Sequence, residues 1–433
     1  MGLTAGNPYP QTFQREESFA LRLDTADPLA EHRNSFFLPE LSAGQEAIYF
    51  CSHSLGLQPR TVTRLMEQEL KNWALLGVEG HFKGATPWYT YQDLLSEPAA
   101  RLVGAEPGEV IHMNGLTINL HLMMETFYRP SGNRFRILMD EPTFPSDLYA
   151  LQSQLQRHGI DPADGLLTLG PRSGEHTLRH EDVEMLLEKC GQEIALVLWS
   201  GVSFLTGQRF DMQRITTAAK RQGCVVGFDL AHAAGNVPLL LHDWNIDFAV
   251  WCTYKYLNSG PGSVAGCFVH EQHGSRIDLP RLAGWWGNDP YTRFRMQLEP
   301  HFRAQPGVAG WQVSNPPILA LLPLRASFAL YDEAGLAALR AKSTCLTSYL
   351  YYLLDQQAGS HYEIITPRDP EARGCQLSIL VRDRPRELMA ALTEQGVSGD
   401  FREPNIIRVA PVPFYNTFHE VWRFAQIWSK LTR

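Results

Sequence analysis

No C-x-x-C pair occurs in the chain, whose seven cysteines stand singly at Cys51, Cys190, Cys224, Cys252, Cys267, Cys345 and Cys375. An odd number without paired spacing suggests neither a disulfide framework nor a zinc knuckle, and leaves reduced, mostly buried thiols as the expectation. Blocks of one charge are missing too. Lys and Arg number 38 against 46 Asp and Glu, a net of -8 with no basic run, so nothing invites a nucleic-acid backbone or an anionic membrane surface. Apolar runs such as Ile194 to Trp199 fall far short of the roughly 20 residues that a membrane span needs. The first twenty residues mix prolines and acids and do not read as a signal peptide, and Gly6 stands where a myristoylation site wants Ser or Thr. The chain also lacks G-x-x-x-x-G-K-[ST], G-x-G-x-x-G after a strand, H-E-x-x-H and G-x-S-x-G. Nucleoside triphosphates, dinucleotides, a catalytic metal and a serine-hydrolase elbow thereby lose their usual support. The expectation is a cytoplasmic protein that binds a small molecule, without metal, nucleic acid or membrane.

What is present is ordinary globular material: 433 residues, 44% hydrophobic and 19% charged. That length suits two domains, or one large domain with a smaller companion. From about residue 105 to 260, short apolar runs alternate with amphipathic stretches, as in a mostly parallel sheet covered by helices. The runs predict strands at Glu109 to Met113, Phe135 to Met139, Ile194 to Trp199, Cys224 to Asp229 and Asp247 to Cys252. Helices are predicted at Leu116 to Phe127, Ser146 to His158, Glu181 to Cys190 and Met212 to Gln222. Upstream, Pro59 suits the first turn of a helix carrying Val62, Leu65, Met66, Leu70 and Trp73 at helical spacing, a face for core or dimer packing. Ser314-Asn-Pro-Pro-Ile reads as a turn into helices at Leu319 to Glu333 and Leu336 to Gln356. The remainder, with strands at Glu363 to Thr366, Gln376 to Val381 and Ile406 to Val409 and a helix at Pro385 to Gly396, reads as a smaller α+β unit. The predicted division is an N-terminal arm at 1–60 that belongs in part to the small domain, a large domain at 61–312 and a small domain at 313–433.

Three places carry chemistry. Asp229 ends the predicted strand Gly-Cys-Val-Val-Gly-Phe-Asp, and in open α/β sheets the carboxyl ends of strands face the ligand crevice. A carboxylate there keeps a pyridine nitrogen protonated, and a protonated ring is the better electron sink; an ordinary cap is the plainer use of the same residue. Lys255 comes after a buried strand, where partial desolvation suits Schiff-base chemistry. Alone it is an ordinary strand-end lysine. Tyr254 beside it, Asn258 and the tight Ser-Gly-Pro-Gly turn, which permits close backbone approach, strengthen the catalytic reading. Asn114-Gly-Leu-Thr117 lies between a strand and a helix, where backbone N–H groups converge on an anion, and Phe144-Pro-Ser-Asp147 offers an aromatic face and a second carboxylate.

These segments resemble kynureninase. Asp229-Leu-Ala-His-Ala-Ala-Gly-Asn, Leu241-His-Asp-Trp, Trp251-Cys-Thr-Tyr-Lys-Tyr-Leu-Asn and Gly284-Trp-Trp-Gly carry the likeness. So do Ser54-Leu-Gly-Leu-Gln-Pro, Met113-Asn-Gly-Leu-Thr-Ile-Asn-Leu-His, Thr292-Arg-Phe-Arg-Met, Ser314-Asn-Pro-Pro-Ile-Leu, Arg373-Gly-Cys-Gln-Leu and Ile407-Arg-Val-Ala-Pro-Val-Pro-Phe-Tyr-Asn, in the family's order from about residue 50 onward. The resemblance implies the aspartate-aminotransferase-like fold (type I) of pyridoxal-phosphate enzymes, an α/β mostly parallel sheet with a smaller α+β C-terminal domain, and a homodimer with its site at the interface. It implies hydrolysis of L-kynurenine or 3-hydroxykynurenine to an anthranilate and L-alanine, within the kynurenine pathway of tryptophan catabolism and NAD biosynthesis. By the same likeness Lys255 holds pyridoxal 5'-phosphate and shuttles the α-proton, and Tyr254 donates a proton. Asp229 faces the pyridine nitrogen, Phe144 stacks on the ring, and His232, Asp147 and Ser200 support the cofactor. Leu116, Thr117 and Tyr254, with the partner subunit's Trp285 and the partner subunit's Asn315, surround the phosphate and ring. Arg408 grips the substrate carboxylate, and Ser54, His81 and Asn315 lie near the substrate's aromatic ring.

Three departures from the family's pattern bear on the substrate's ring substituents: Ser52-His53 where Gly-Asn is usual, Asn288 after Gly-Trp-Trp-Gly where histidine is common, and Gly84-Ala-Thr-Pro-Trp without basic residues. By likeness to enzymes that prefer it, His81 with Ser314-Asn315 implies the hydroxylated substrate, and a biosynthetic enzyme acting on a modified kynurenine is a variant of the same reading. Rival readings are an aminotransferase or cysteine desulfurase of the same fold, and a ligand-binding protein without turnover.

Overall fold

The computed structural model describes residues 8–432 apart from 11, 42, 43, 45, 277 and 357–360. Gly6 lies outside the described residues. In chain order the strands are β1 (Ile48–Tyr49), β2 (Val110–His112), β3 (Arg136–Asp140), β4 (Leu166–Leu169), β5 (Ile194–Ser200), β6 (Val225–Asp229), β7 (Phe248–Trp251), β8 (Gly266–Val269), β9 (Tyr362–Ile364), β10 (Leu377–Val381), β11 (Val397–Ser398), β12 (Asp400–Arg402) and β13 (Ile406–Val409).

The larger sheet has seven strands in the order β2-β8-β7-β6-β5-β3-β4, all parallel except β8, which runs against both β2 and β7. β5 and β7 read as unbroken apolar runs because helices cover both faces of such a sheet, and all four residues of β7 are buried. Trp251 pairs with Gly266 across the β7–β8 ladder, and a Cβ at Gly266 would meet the indole at 2.1 Å. The helices Leu116–Phe127, Pro145–Arg157, His180–Cys190 and Met212–Arg221 fall within one residue of their predicted ends. β4 and β8 are additions to the predicted strands. β4 is a partly exposed edge containing Thr168, and β8 is a four-residue run next to glycine-rich sequence, so neither shows a long apolar period.

The helix after Pro59 spans Thr61–Leu76, so Pro59 stands just outside it rather than in its first turn, bridging to Phe36 instead. Val62 is buried on that helix, whereas Leu70 and Trp73 are exposed. A second, antiparallel sheet has the order β12-β13-β10-β9, and β1 pairs parallel with β11 alongside it. Its core joins Tyr9, Phe19, Ile48 and Phe50 from the start of the chain to Tyr349, Leu377, Phe424 and Trp428 from the end. The helices Ile318–Ala334 and Leu336–Asp355 match the two long helices expected there, and Leu321, Leu324 and Phe328 of the first pack into the core of the large sheet. A C-terminal helix, Phe418–Leu431, starts from a Thr417–Glu420 capping box. All seven cysteines are unpaired, five of them buried, and no helix among the described residues is long and apolar enough to cross a membrane.

Candidate active site

Four parallel strands deliver chemistry to one edge of the large sheet. β3 ends at Asp140, β5 at Ser200, β6 at Asp229, and β7 leads through Cys252 to Tyr254 and Lys255. This is the crevice at the carboxyl ends of strands where α/β sheets bind ligands. Ser54, Leu116, Thr117, Phe144, Asp147, Ser200, Asp229, His232, Tyr254, Lys255 and Arg408 all line one cavity there, together with His53, Ser146, Val202, Phe204, Ala231, Cys252 and Arg402.

Lys255 Nζ lies 3.0 Å from His232 Nε2 and 5.9 Å from the centre of the Phe144 ring. Burial, then the charges of Lys255 and Arg408, hold His232 well below its ordinary pKa, so the imidazole beside the amine is neutral. Asp229 accepts from the Ala231 N–H at 2.6 Å and lies beside the Asp147 carboxyl. Burial first, and the Asp229 carboxylate second, push Asp147 well above the carboxylate range. Asp147 is therefore held as a neutral acid beside Asp229. Asp140 accepts from the N–H and the hydroxyl of Ser200 at 3.0 and 3.2 Å, and burial pushes it up to about 6. Burial, then Cys252, raises Tyr254, whose phenol stays protonated and able to donate.

Two helix starts meet at the opposite wall. Thr117 Oγ1 and Ser146 Oγ lie 3.0 Å apart in the first turns of Leu116–Phe127 and Pro145–Arg157, and neither helix has a side-chain cap. Two helix starts with their positive dipole ends and two hydroxyls make a seat for a phosphate dianion.

The lysine segment is held from behind. The loop Cys51–Leu57 lies against it, with the Gly56 N–H donating to the Tyr254 carbonyl at 2.8 Å. A Cβ on Gly56 would stand 2.3 Å from both the Lys255 carbonyl oxygen and Asn258 Oδ1, so only glycine allows this approach. Asn258 takes the left-handed conformation at φ 51, which its residue type tolerates.

Arg408 reaches the cavity from β13. Its Nε donates to Asp400 Oδ1 at 2.9 Å and its Nη1 to the Phe204 carbonyl at 2.6 Å, and Asp400 faces Arg408 across the β12–β13 ladder. Arg402 also pairs with Asp400 at 2.9 Å.

Three expected residues stay outside the cavity in this single chain. Asn315 is exposed, and Trp285 donates to the Arg293 carbonyl at 3.3 Å. His81 stands edge-on to Trp88, and through Phe82 and Phe294 it joins Trp285 in a separate aromatic cluster. Asp140, Ser146, Arg402 and Asp400 are additions that the motifs did not single out. Asp140 carried the same signal as Asp229, an acid at the end of an apolar strand, and Ser146 lies inside Phe144-Pro-Ser-Asp.

The architecture is shared with the Escherichia coli cysteine desulfurase CsdA, at TM-score 0.74 and 17% identity over 93% of this chain and 98% of that one. It is shared with a C-DES variant carrying glycine covalently linked to its PLP cofactor, at TM-score 0.74 and 19% identity over 88% and 96%. The fold is therefore that of type I pyridoxal-phosphate enzymes. Residues 339–428 match the kynureninase C-terminal domain. Over 414 residues the chain is 54% identical to a kynureninase of Koribacter versatilis, covering 96% of this chain and 97% of the relative. The chain belongs to the kynureninase family.

Proposed function

We propose that this protein is a pyridoxal-phosphate-dependent kynureninase, hydrolysing L-kynurenine or its 3-hydroxy form to an anthranilate and L-alanine. The observation that carries the reading is the convergence on one crevice of Lys255, Asp229 beside a neutral Asp147, and a double helix-start anion seat. That donor set fits the cofactor: Thr117, Ser146 and the two helix starts suit its phosphate, Phe144 its ring face, Asp229 its pyridine nitrogen and Lys255 its aldehyde. When bound, the cofactor supplies an electron sink for the substrate's α-carbon.

The chain's own groups do the rest. Lys255 moves the α-proton, and neutral His232 at 3.0 Å is a partner for its Nζ that adds no charge. Arg408 binds the carboxylate and sets the orientation of the α-carbon. Tyr254, kept protonated by burial, hands a proton to the carbon left when the aroyl group departs after water has added to the side-chain ketone. The desulfurase reading finds less support. Cys252 lines the cavity, but burial raises its thiol away from the thiolate that such chemistry needs.

A homodimer completes this reading. Trp285, Tyr291, Phe294, Leu298 and Phe82 are exposed large apolar side chains, and a second copy covering them would bring His81, Trp285 and Asn315 to the neighbouring cavity. The division at 1–60, 61–312 and 313–433 is likewise proposed, supported by a second core that joins the chain's start to its end. Free cysteines support a cytoplasmic setting, and the reaction a place in tryptophan breakdown. Purified protein supplied with the cofactor should be yellow and release fluorescent anthranilate from kynurenine, whereas Lys255→Ala should lose the characteristic visible band and turnover. A colourless, inert parent protein refutes the reading.

A further inference from the structure

His53 stands on the cavity wall beside Ser54, 1% exposed, and neither Nδ1 nor Nε2 has a hydrogen-bond partner. A polar ring shut away from water with both nitrogens unpaired is unfavourable as it stands, and on a cavity wall a bound molecule can supply what is missing. Folded chains keep such groups where a ligand supplies the missing partner. The ring lies 6.5 Å from that of His232, and its nitrogen is within 4.8 Å of Cys51 Sγ and an Asp400 carboxylate oxygen. Asp400 is already paired with both Arg402 and Arg408, so a metal ion there would be competing with two fixed cations. Burial first, and Arg408, Lys255 and Arg402 after it, keep His53 neutral, with one N–H to donate and one nitrogen to accept. Arg408 meanwhile commits three of its contacts to Asp400 and the Phe204 carbonyl, leaving room for a further donor at the same corner.

We propose that His53 is a substrate-contacting residue, its imidazole hydrogen-bonding the carboxylate end of the bound amino acid beside Arg408. This rests on the reading above that the cavity takes an amino acid. It assigns to an uncharged ring, at the position where this chain carries Ser52-His53, part of the grip on the substrate.

The test uses the holoenzyme and its His53→Leu and His53→Gln variants, with L-alanine and anthranilate as separate probes of the two ends of the substrate. Turnover of kynurenine by the parent reports on the reading above, whereas the variant-to-parent ratio of dissociation constants reports on His53 alone. His53→Leu should weaken L-alanine by about tenfold or more, the scale of one lost hydrogen bond to a charged group. The same variant should leave anthranilate within about threefold, keep the visible cofactor band, and raise KM more than it lowers kcat. Its melting temperature should hold or rise, because the unpaired ring is gone, and His53→Gln should restore L-alanine to within about threefold of the parent. Should His53→Leu fail to fold, His53→Ala with and without added imidazole carries the comparison, and rescue of L-alanine binding is the expected result. Unchanged L-alanine affinity in a cofactor-loaded Leu or Ala variant overturns the proposal. So does a loss confined to anthranilate, or loss of parental L-alanine binding on chelation of metals.

Discussion

Replacing Asp400 by alanine should cost far more stability than replacing Arg402, the more exposed of the two arginines that share it. Asp400 receives Arg408 Nε at 2.9 Å and pairs with Arg408 Nη2 at 2.8 Å, while Arg402 approaches the same oxygen at 2.9 Å. The Arg408 side chain is 1% exposed, that of Asp400 12% and that of Arg402 36%. Without Asp400, Arg408 retains its bond to the Phe204 carbonyl and is left as a buried cation, a loss of about 3–5 kcal/mol when one side of a buried pair is removed. Arg402→Ala removes a partly solvated partner and should cost less than about 1 kcal/mol. Urea unfolding of both variants, monitored by tryptophan fluorescence, reads the difference as a shift in midpoint at constant slope. L-alanine should narrow the Asp400→Ala deficit, because its carboxylate replaces the missing anion beside Arg408 and binds only the folded state. Equal midpoints for the two variants would refute the claim that Asp400 is what permits Arg408 to be buried.

Gly56→Ala drives a methyl group to 2.3 Å from the Lys255 carbonyl and Asn258 Oδ1, so it should displace the lysine segment and weaken cofactor binding at least tenfold, about 1.4 kcal/mol, as titrated by the visible band; unchanged affinity would count against that packing. His112 is buried against Trp251 and Phe328, with burial lowering its pKa to about 3. The unfolded chain then binds the proton more tightly, so this contribution is intact above about pH 6.5 and is lost as pH falls from there toward 3. At pH 5 the deficit is about 2 kcal/mol, and His112→Phe should remove it, seen as a parent-minus-variant stability difference that grows only on the acid side.

Periodicity alone placed the large sheet's central strands and their helices, because strands buried on both faces must be continuously apolar and their covering helices amphipathic. Where burial is partial the pattern fades, as at β4 and at β12, whose three residues are all partly exposed. The C-terminal helix had a legible start in Thr417-x-x-Glu420, but the capping box becomes decisive only with the helix's apolar face packed into the second core.

For the site, residue type and strand-end position brought out Lys255, Asp229, Thr117, Phe144 and Asp147, since local sequence dictates where a strand stops and which residues stand at its carboxyl end. Tertiary structure alone decided how these groups share charge and which distant segments meet them. The Asp147 proton, the neutrality of His232, the Asp400–Arg408 pairing and the orphaned ring of His53 depend on burial and on contacts between segments tens to hundreds of residues apart. Desolvation is a property of the folded crevice, and no linear spacing encodes it.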